Sequence, residues 1–280
     1  MPATTSARLL APRLSLASCV RAYVTRSTIG CTLLDDEARH NRYPATPFCS
    51  ICWQLHGSTR LVEQGTPAEH AMEVGQAVLV GPQSGPTVTC NPGPTAFFIV
   101  MFFPEALHAL TGVNVAELVD RVCLADDVLS AEWNALPAAL LAAADDEARV
   151  AALEAFLTPR WEALRRSGDV PTSVMGDYVR RLGAQAAAAG WGRGPRIVER
   201  RIRAWAGLPM RTLQRLGRAE HAFFAARDSS TALGYIAADN GYADQSHMTR
   251  EAKAITGLSP TELKHALEQH ESYWIYRIWS

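Results

Sequence analysis

The sequence predicts an α+β protein in which a β-rich N-terminal part is followed by a helical bridge and an all-α C-terminal part. Three observations lead to this prediction. Residues 42–103 carry short apolar or alternating runs separated by Gly and Pro, which is typical of β-strands in a small barrel or sandwich. From Pro104 onward Ala, Leu and Glu recur at helical spacing. A run of turn residues, Ser-Gly-Asp-Val-Pro, then interrupts the helical pattern at residues 167–171.

These patterns set the expected domain boundaries. The strand-like runs are PFCSICWQLHG, HAMEVGQAVLVGP, PTVTCN and TAFFIVMFF, and the helical bridge includes VAELVDRV and AEWNALPAALLAAADDEARVAALEAFLTPRWEALRR. We therefore expect a first domain over residues 1–166, whose helical bridge covers about 104–166. A linker over residues 167–172, a helical domain over 173–270 and an aromatic tail over 271–280 follow.

Composition bounds the class of protein. Of the 280 residues, 48% are hydrophobic and 20% are charged, so two folded domains are expected rather than disorder. No run of about 18 apolar residues is present, so we expect no membrane-spanning helix. Pro12 and Arg13 interrupt the apolar stretch that a signal peptide would need, so we expect a cytoplasmic protein without a membrane partner.

Charge is distributed unevenly along the chain. From Pro171 onward there are 15 Lys and Arg against 10 Asp and Glu, a net charge of +5, whereas the preceding residues carry a net charge of −6. The densest stretch, residues 190–218, has eight Arg and a single acidic residue, Glu199. A solvated helix face would normally mix Glu with Arg at i,i+4 spacing. The stripe therefore indicates a polyanionic partner such as double-stranded DNA.

An internal repeat runs through the C-terminal part. Displacing the sequence by about 50 residues aligns RRIRAWAGL, from Arg200, with REAKAITGL, from Arg250. Each copy follows an Ala-rich stretch that ends at a Gly-aromatic pair, which is Gly190-Trp191 in the first copy and Gly241-Tyr242 in the second. The pattern predicts helix, glycine turn and helix in each copy.

The expected second helix of each copy has a defined beginning and end. Asp244 is a suitable N-cap, and Gly207 and Gly257 are suited to end the two helices. A short helix packed across a second one through a glycine turn is the helix-turn-helix unit, whose second helix enters the DNA major groove. The chain is therefore predicted to carry two such units, joined by a helix around residues 210–226.

The stretch GYADQSHMTREAKAITGLSP resembles the second helix-turn-helix signature of the AraC/XylS family of bacterial transcription regulators. The resemblance covers residues 175–268, with the matching positions Gly241, Tyr242, Asp244, Gln245, Ser246, His247, Arg250, Lys253, Gly257, Ser259 and Pro260. Met248 and Ala252 stand where the family usually has Phe, which predicts a less filled core in the second unit. Leu263 and Lys264 replace the family's usual aromatic-Arg pair.

The resemblance implies a sequence-specific transcription regulator, more often an activator than a repressor. It also implies a cupin-like N-terminal barrel that senses a small-molecule effector. Double-stranded DNA and the effector are the expected partners, with RNA polymerase and a second copy of the chain as further candidates. We expect no cofactor, no metal and no enzymatic activity, because the sequence carries no phosphate loop, zinc-protease or nucleophile-elbow motif.

Two groups of side chains are the expected DNA contacts. Those expected to face the groove are Arg196, Arg200 and Arg203 on the first recognition helix and Gln245, Ser246, His247, Thr249 and Arg250 on the second. The expected phosphate contacts are Arg193, Arg211, Arg215, Arg218 and Lys253. His247 has a structural role as its alternative, and Glu199 is either a partner of a neighbouring Arg or an acceptor for a cytosine amino group. Tyr242 and Met248 are expected in the core.

The N-terminal part offers a candidate effector site and a set of cysteines. Aromatic and polar groups coincide at Arg42, Tyr43, Trp53 and His56, so these are the candidate effector residues. All six cysteines lie in this half, at positions 19, 31, 49, 52, 90 and 123. Cys49 and Cys52 form a C-x-x-C pair, but in a strand they point to opposite faces, so buried hydrophobes are expected. A redox- or metal-responsive regulator is the alternative.

Two further alternatives belong to other classes. An alkylation-repair enzyme fused to the same DNA-binding module would use reactive cysteines held by clustered ligands. A ligand-free regulator would instead be controlled by its abundance or by a partner protein. The aromatic tail, with Tyr273, Trp274, Tyr276 and Trp279, is expected to pack on the protein, with a dimer contact as its alternative.

Overall fold

The computed structural model describes residues 5–31, 35–63, 66–165, 175–189, 195–228 and 231–279. The expected linker over residues 167–172 lies outside the described residues, as do Gly190 and Arg193. Within the described ranges the chain forms a β domain with a helical layer, followed by a helical domain. This order confirms the predicted fold class.

Ten strands in the described ranges form two antiparallel sheets. The strands are β1 (Ser6–Leu10), β2 (Val20–Ser27), β3 (His40–Tyr43), β4 (Cys49–His56), β5 (Thr59–Glu63), β6 (Thr66–Met72), β7 (Ala77–Val80), β8 (Thr87–Cys90), β9 (Ala96–Phe102) and β10 (Val122–Leu124). The large sheet has the order β1-β2-β9-β4-β7-β10, and the small sheet has the order β3-β8-β5-β6. The two sheets form the barrel-like body that the turn-separated runs predict.

The central strand β9 divides its side chains between the two faces of the large sheet. Phe98, Val100 and Phe102 belong to the large core beneath the helical layer, whereas Phe97 and Ile99 belong to a second cluster on the other face. This division follows from the period of two in a β-strand. The large sheet is therefore buried on both faces.

Two strands, β1 and β2, lie before the region in which the sequence predicts strands. β2 pairs with both β1 and β9 and is a central member of the large sheet. Its residues Arg21 and Arg26 mask the strand pattern, because charged residues are uncommon in a buried strand. Both are paired with carboxylates from the helical domain, Arg21 with Glu220 and Arg26 with Glu271.

Five helices form the layer that covers the large sheet. They are α1 (Pro104–Thr111), α2 (Ala125–Val128), α3 (Ala131–Asn134), α4 (Leu136–Ala142) and α5 (Asp146–Leu164). The run VAELVDRV, predicted as a helix, is instead a 3-10 turn at Val115–Glu117 followed by β10. Asp120 takes a positive φ of 56°, which ends the turn, and Val122 then pairs with Val80 of β7.

Seven helices follow in the described C-terminal part. They are α6 (Met175–Ala189), α7 (Pro195–Ala206), α8 (Met210–Asp228), α9 (Leu233–Asp239), α10 (Gln245–Thr256), α11 (Pro260–Gln269) and α12 (Trp274–Ile278). We call α6 and α7 the first unit, α9 and α10 the second unit, and α8 the linking helix. The tail is Glu271–Trp279 and includes α12.

The helical domain docks directly on the β domain. Tyr178 of α6 is fully buried, and its ring lies 5.1 Å from that of Phe103 and 5.8 Å from that of Phe48. Arg181 on the same helix pairs with Glu105 of α1 at 2.7 Å. Burial raises the pKa of Glu105, although the pair with Arg181 opposes the change. The first unit therefore shares a core with the β domain.

Candidate DNA-reading surface and interdomain cavity

The second unit contains the turn and the helix bounds that the sequence predicts. Gly241 has a φ of 73°, in the left-handed region that glycine tolerates best. The Asp244 carboxylate accepts the backbone N–H of His247 at 2.6 Å and so caps α10. Gly257, with a φ of 83°, donates its N–H to the Lys253 carbonyl and ends the helix. The predicted N-cap and C-terminal glycine of this helix are confirmed.

Helix α10 buries one side and exposes the other. Met248 is buried in a small core with Tyr242, Ile236, Ala237 and Ala222. The expected burial of Met248 and Tyr242 is confirmed. On the outer side, Gln245, Ser246 and Arg250 are exposed. Amide, hydroxyl and guanidinium groups on an exposed helix face are the groups that pair with base edges in the major groove.

The side chains of Thr249 and His247 are held by contacts within their own unit. The Thr249 hydroxyl donates to the Gln245 carbonyl at 2.9 Å, and the residue is half-buried. The His247 ring lies edge-on to Tyr242, with 5.3 Å between ring centroids, and its Nδ1 accepts the Ala243 N–H at 3.4 Å. These contacts favour the structural alternative for His247 because they hold its ring against the turn of its own unit.

The first recognition helix, α7, presents three arginines to solvent. Arg196, Arg200 and Arg203 are exposed, whereas Ile202 and Ala206 on the inner side are buried. Glu199 pairs with Arg203 at 3.3 Å, which favours its role as an arginine partner. This i,i+4 pair is exposed, so it contributes less than about 1 kcal/mol to stability and leaves the guanidinium available.

The C-terminal end of α7 rests on the helical layer of the β domain. Gly207 ends the helix with a φ of 73°. A Cβ atom at this position would lie 2.9 Å from Val119 and 3.2 Å from the Val115 carbonyl oxygen. Only glycine combines that backbone conformation with so close an approach. The first recognition helix is therefore fixed to the β domain at this end.

The expected phosphate contacts differ in the exposure of their side chains and in their partners within the protein. Arg211 is exposed. Lys253 is half-exposed and lies 3.5 Å from the Glu262 carboxylate. Arg215 is only partly exposed, and its Nε is buried without a hydrogen-bond partner among the described residues. Arg211 and Lys253 are thus the best placed of the described members of this set.

Arg218, also an expected phosphate contact, is paired within the protein. Its guanidinium donates to both carboxylate oxygens of Glu251, at 2.7 Å and 3.0 Å, and lies 4.7 Å from the centre of the Tyr242 ring. The hydrogen bonds to Glu251 raise the pKa of Arg218. Glu251 belongs to α10 and is buried, so the pair fixes the recognition helix to the linking helix. The Arg218 guanidinium is therefore engaged within the domain, whereas Arg211 on the same helix is exposed.

A cavity of about 370 Å³ lies between the β domain and the second unit. Its walls are the inner face of the barrel, the linking helix, α10, α11 and the tail, and most of the lining side chains are apolar. Residues that bound it from the helical side include Leu216, Phe223, Met248, Ala252 and Tyr276. Ala252, which stands where the resembled family usually has Phe, lines the cavity with a small side chain. The volume falls in the range of small-molecule sites.

The structure separates the four candidate effector residues. Tyr43 lines the cavity. Trp53 belongs to the large core on the opposite face of β4, where its ring lies 6.0 Å from that of Phe98. Arg42 places its guanidinium 5.7 Å from the centre of the Tyr273 ring in the tail. His56 is exposed at the end of β4. Only Tyr43 of the four therefore belongs to the walls of the cavity.

The strand residues that line the cavity were not anticipated from the sequence. Phe97, Ile99 and Met101 line it from β9, together with Val24 of β2 and Cys52 of β4. The signal was present in TAFFIVMFF, because alternate residues of a strand face opposite sides. Composition alone did not show which of the two faces would be covered by the helical domain.

The cysteines are free thiols and most are at least partly buried. Cys49 lies in the large core and Cys52 on the cavity side of β4, as their spacing predicts. Burial raises the pKa of the Cys52 thiol to about 12 and raises that of Cys49 further, so both are protonated at neutral pH. In the described part of the chain, no three His, Cys, Asp or Glu side chains are grouped to hold a metal ion.

Comparisons with known proteins match two separate parts of the chain. Residues 8–124 match the model of a domain of unknown function (DUF6597), and residues 187–266 match that of a helix-turn-helix domain. No curated protein sequence matches the chain. Within the described residues, no helix is both long and apolar enough to cross a membrane.

Three solved structures are similar in outline. ToxT from Vibrio cholerae has a TM-score of 0.43 and 10% identity, over 94% of this chain and 97% of that one. ToxT with a bound unsaturated fatty acid has a TM-score of 0.39 and 13% identity, over 80% and 93%. An oxalate decarboxylase variant from B. subtilis has a TM-score of 0.25 and 14% identity, over 36% and 26%.

The two units, their exposed polar and basic side chains and the family match define a DNA-binding transcription regulator with an N-terminal β domain. Its C-terminal part is a helix-turn-helix domain of the AraC type, within which α10 is the second recognition helix.

Proposed function

We propose that the protein is a sequence-specific transcription regulator whose affinity for DNA is set by a small apolar effector bound in the interdomain cavity. The observation that carries this proposal is the composition of the cavity walls. The β domain supplies one side, and the helices that carry and support α10 supply the other. A molecule bound there contacts both domains at once, so its binding depends on how they meet.

DNA is read by the outer faces of α7 and α10. Arg196, Arg200 and Arg203 act from the first helix, and Gln245, Ser246 and Arg250 from the second, with Thr249 and His247 at its inner edge. The linking helix has 19 residues, a length of about 28 Å at 1.5 Å per residue. This length is comparable with the roughly 34 Å helical repeat of DNA, so both helices can address one face of a duplex.

Arg211 and Lys253 are the proposed phosphate contacts, together with Arg215 and with Arg193, which lies outside the described residues. Such contacts set the register of the protein on the duplex and make binding salt-dependent. Base recognition is left to the side chains of α7 and α10. The proposed outcome at the promoter is activation through RNA polymerase, with a second copy of the chain on the same site.

The effector is proposed to be largely apolar because the cavity walls are. Val24, Phe97, Ile99, Leu216 and Phe223 are typical of these walls. The polar residues on the barrel side are Tyr43, Thr46, Ser50, Thr59, Gln83, Thr87 and Thr89. A tenfold change in DNA affinity requires the effector to bind one state more tightly by about 1.4 kcal/mol.

Ala252→Phe is the variant that tests the effector site. It fills the cavity from α10 but leaves the outer face of that helix unchanged. Apolar molecules that raise the Tm of the wild type are identified first and then titrated into a DNA-binding assay. We expect them to change the DNA affinity of the wild type and to leave that of Ala252→Phe unchanged. An equal response of the two proteins would place the effector outside this cavity.

A further inference from the structure

We infer that the second unit is a movable lid over the cavity and that the tail, Glu271–Trp279, is the latch that holds it against the β domain. The first unit, in contrast, is a fixed part of the β-domain body. This inference rests on the proposed function in one respect, namely that an effector occupies the cavity. The latch itself is a property of the folded chain and can be tested without DNA or ligand.

The two units are attached to the β domain in different ways. Tyr178, Leu182, Ile202 and Ala206 of the first unit belong to the same large core as the β-sheet. The second unit has a small separate core, and within α10 only Ile255 belongs to the large one. The Ile255 carbonyl also accepts the Ala45 N–H at 2.8 Å. The first unit is therefore held by an extensive core and the second by a narrow contact.

The tail adds a further attachment through Trp274. This side chain is 1% exposed, and its indole N–H donates to the Asn41 side-chain oxygen at 2.8 Å. Its ring packs against Phe97 and Tyr43, with centroid distances of 6.0 Å and 6.1 Å. The Arg26 guanidinium lies 5.0 Å from its centre. Trp274 thus inserts beside the strands that line the cavity.

Charged groups fasten both ends of the tail. At its start Glu271 pairs with Arg26 of β2 at 2.7 Å and also with Arg277 of the tail itself. At its end Trp279 lies 4.9 Å from the Arg21 guanidinium and donates its indole N–H to Glu220. The two arginines on β2 therefore serve as anchor points for the tail.

This attachment contains buried polar atoms without hydrogen bonds. Among the described residues, Arg21 Nε, Arg26 Nε and Tyr276 Oη are buried and have no hydrogen-bond partner. All three belong to side chains at the contact between the tail and its surroundings. A buried polar atom left without a partner destabilises the state that buries it, and releasing the tail would let water reach all three.

The tail is also a wall of the cavity. Ile275, Tyr276 and Trp279 line it, next to α11 and the linking helix. A molecule that enlarges or fills this space acts directly on the latch. The first recognition helix does not line the cavity. An occupant is therefore read out as a change in the position of α10 relative to α7.

Hydrogen exchange on the full chain, without DNA or effector, tests the latch. Trp274→Phe keeps an aromatic ring but removes the N–H that Asn41 accepts, and Glu271→Gln removes the charge that pairs with Arg26. We expect exchange in α10 and α11 to become roughly tenfold faster in both variants, as expected for losing one buried hydrogen bond. Exchange in α7 should stay at the wild-type rate.

Trp161→Phe is the matched control. Trp161 is buried in the helical layer and donates its indole N–H to the Ser18 hydroxyl at 3.1 Å, away from the tail. The Trp161→Phe variant should leave the exchange rates of α10 and α11 at their wild-type values. Unchanged exchange of α10 and α11 in the tail variants, or an equal rise in α7, would overturn the latch. If Trp274→Phe does not fold, the exchange rates of Glu271→Gln alone test the latch. Failure of DNA binding would contradict the proposed function without altering these rates.

Discussion

The Arg218 guanidinium holds the Glu251 carboxylate through hydrogen bonds of 2.7 Å, 3.0 Å and 3.1 Å. Glu251 lies on the inner side of the second recognition helix, with only 5% of its side chain exposed, whereas Arg218 belongs to the linking helix. The pair connects the two helices through the interior of the helix-turn-helix domain. The orientation of the proposed base-reading face on α10 therefore depends on a contact on the inner side of the helix.

Arg218→Ala is expected to destabilise the fold by about 3 kcal/mol, because it leaves a buried carboxylate without its partner. Arg211→Ala, which removes an exposed arginine from the same helix, should change stability by less than about 0.5 kcal/mol. Denaturant unfolding of both variants measures the difference. Equal stability of the two variants would show that the pair does not hold α10.

Arg200→Ala is expected to weaken binding to a cognate DNA site by about 1–3 kcal/mol and to relax its sequence preference. Arg211→Ala should instead weaken binding to all sequences alike and reduce the salt slope by about one charge. Binding isotherms on cognate and mutated sites at several salt concentrations separate the two roles. An unchanged isotherm for Arg200→Ala would remove it from the reading face.

Gly207→Ala and Gly241→Ala form a matched pair, since both glycines have a φ of 73°. A Cβ atom added at Gly241 would meet no atom of another part of the chain within 4 Å, whereas one added at Gly207 would lie 2.9 Å from Val119. Gly241→Ala should therefore cost only the left-handed backbone strain of about 1–2 kcal/mol. Gly207→Ala should cost more, because the end of α7 must also move from the β domain. Thermal unfolding compares them, and equal losses would contradict this close approach.

The attachment of the tail should weaken at acid pH. Burial alone would raise the pKa of Glu271. Hydrogen bonds from Thr5 and Arg26 oppose this effect and hold the pKa below its ordinary value of 4.5. The unfolded chain then binds this proton more readily, so the stability that Glu271 contributes is present above pH 4.5 and is lost as the pH falls through its folded pKa.

Glu271→Gln should remove that component of the pH dependence. The wild type is expected to lose more unfolding free energy than Glu271→Gln between pH 6 and pH 3, roughly the range around an ordinary carboxyl pKa. Glu73→Gln, at an exposed glutamate, is the control and should follow the wild type. Parallel pH profiles for all three proteins would contradict the assigned role of Glu271.

Local signals made the second unit predictable from the sequence. Asp244 and Gly257 mark the ends of α10 because an N-cap carboxylate and a left-handed glycine act on the residues next to them. The alternation in β9 likewise encodes its two faces. In these cases the cause of the structure lies within a few residues of the feature itself.

Other features depend on partners that are distant in sequence. From the sequence, Arg26 is only an N-terminal basic residue and Trp274 only an aromatic residue of the tail. In the fold the two side chains pack on each other, Arg26 also pairs with Glu271, and Trp274 also donates to Asn41. The sequence does not distinguish Arg218 from its exposed neighbours, because its partner Glu251 lies 33 residues later in the chain. The cavity also required the docking of two domains, which no pattern within either domain specifies.

The most direct test of the account is a footprint on genomic DNA fragments with the wild type, Arg200→Ala and Arg250→Ala. We expect two protected major-groove segments about one helical turn apart, one weakened in Arg200→Ala and the other in Arg250→Ala. That result would establish that both units read DNA. Absent protection, or uniform protection that both variants weaken equally, would show that the arginine stripe binds phosphate only and would contradict the account of a sequence-specific regulator.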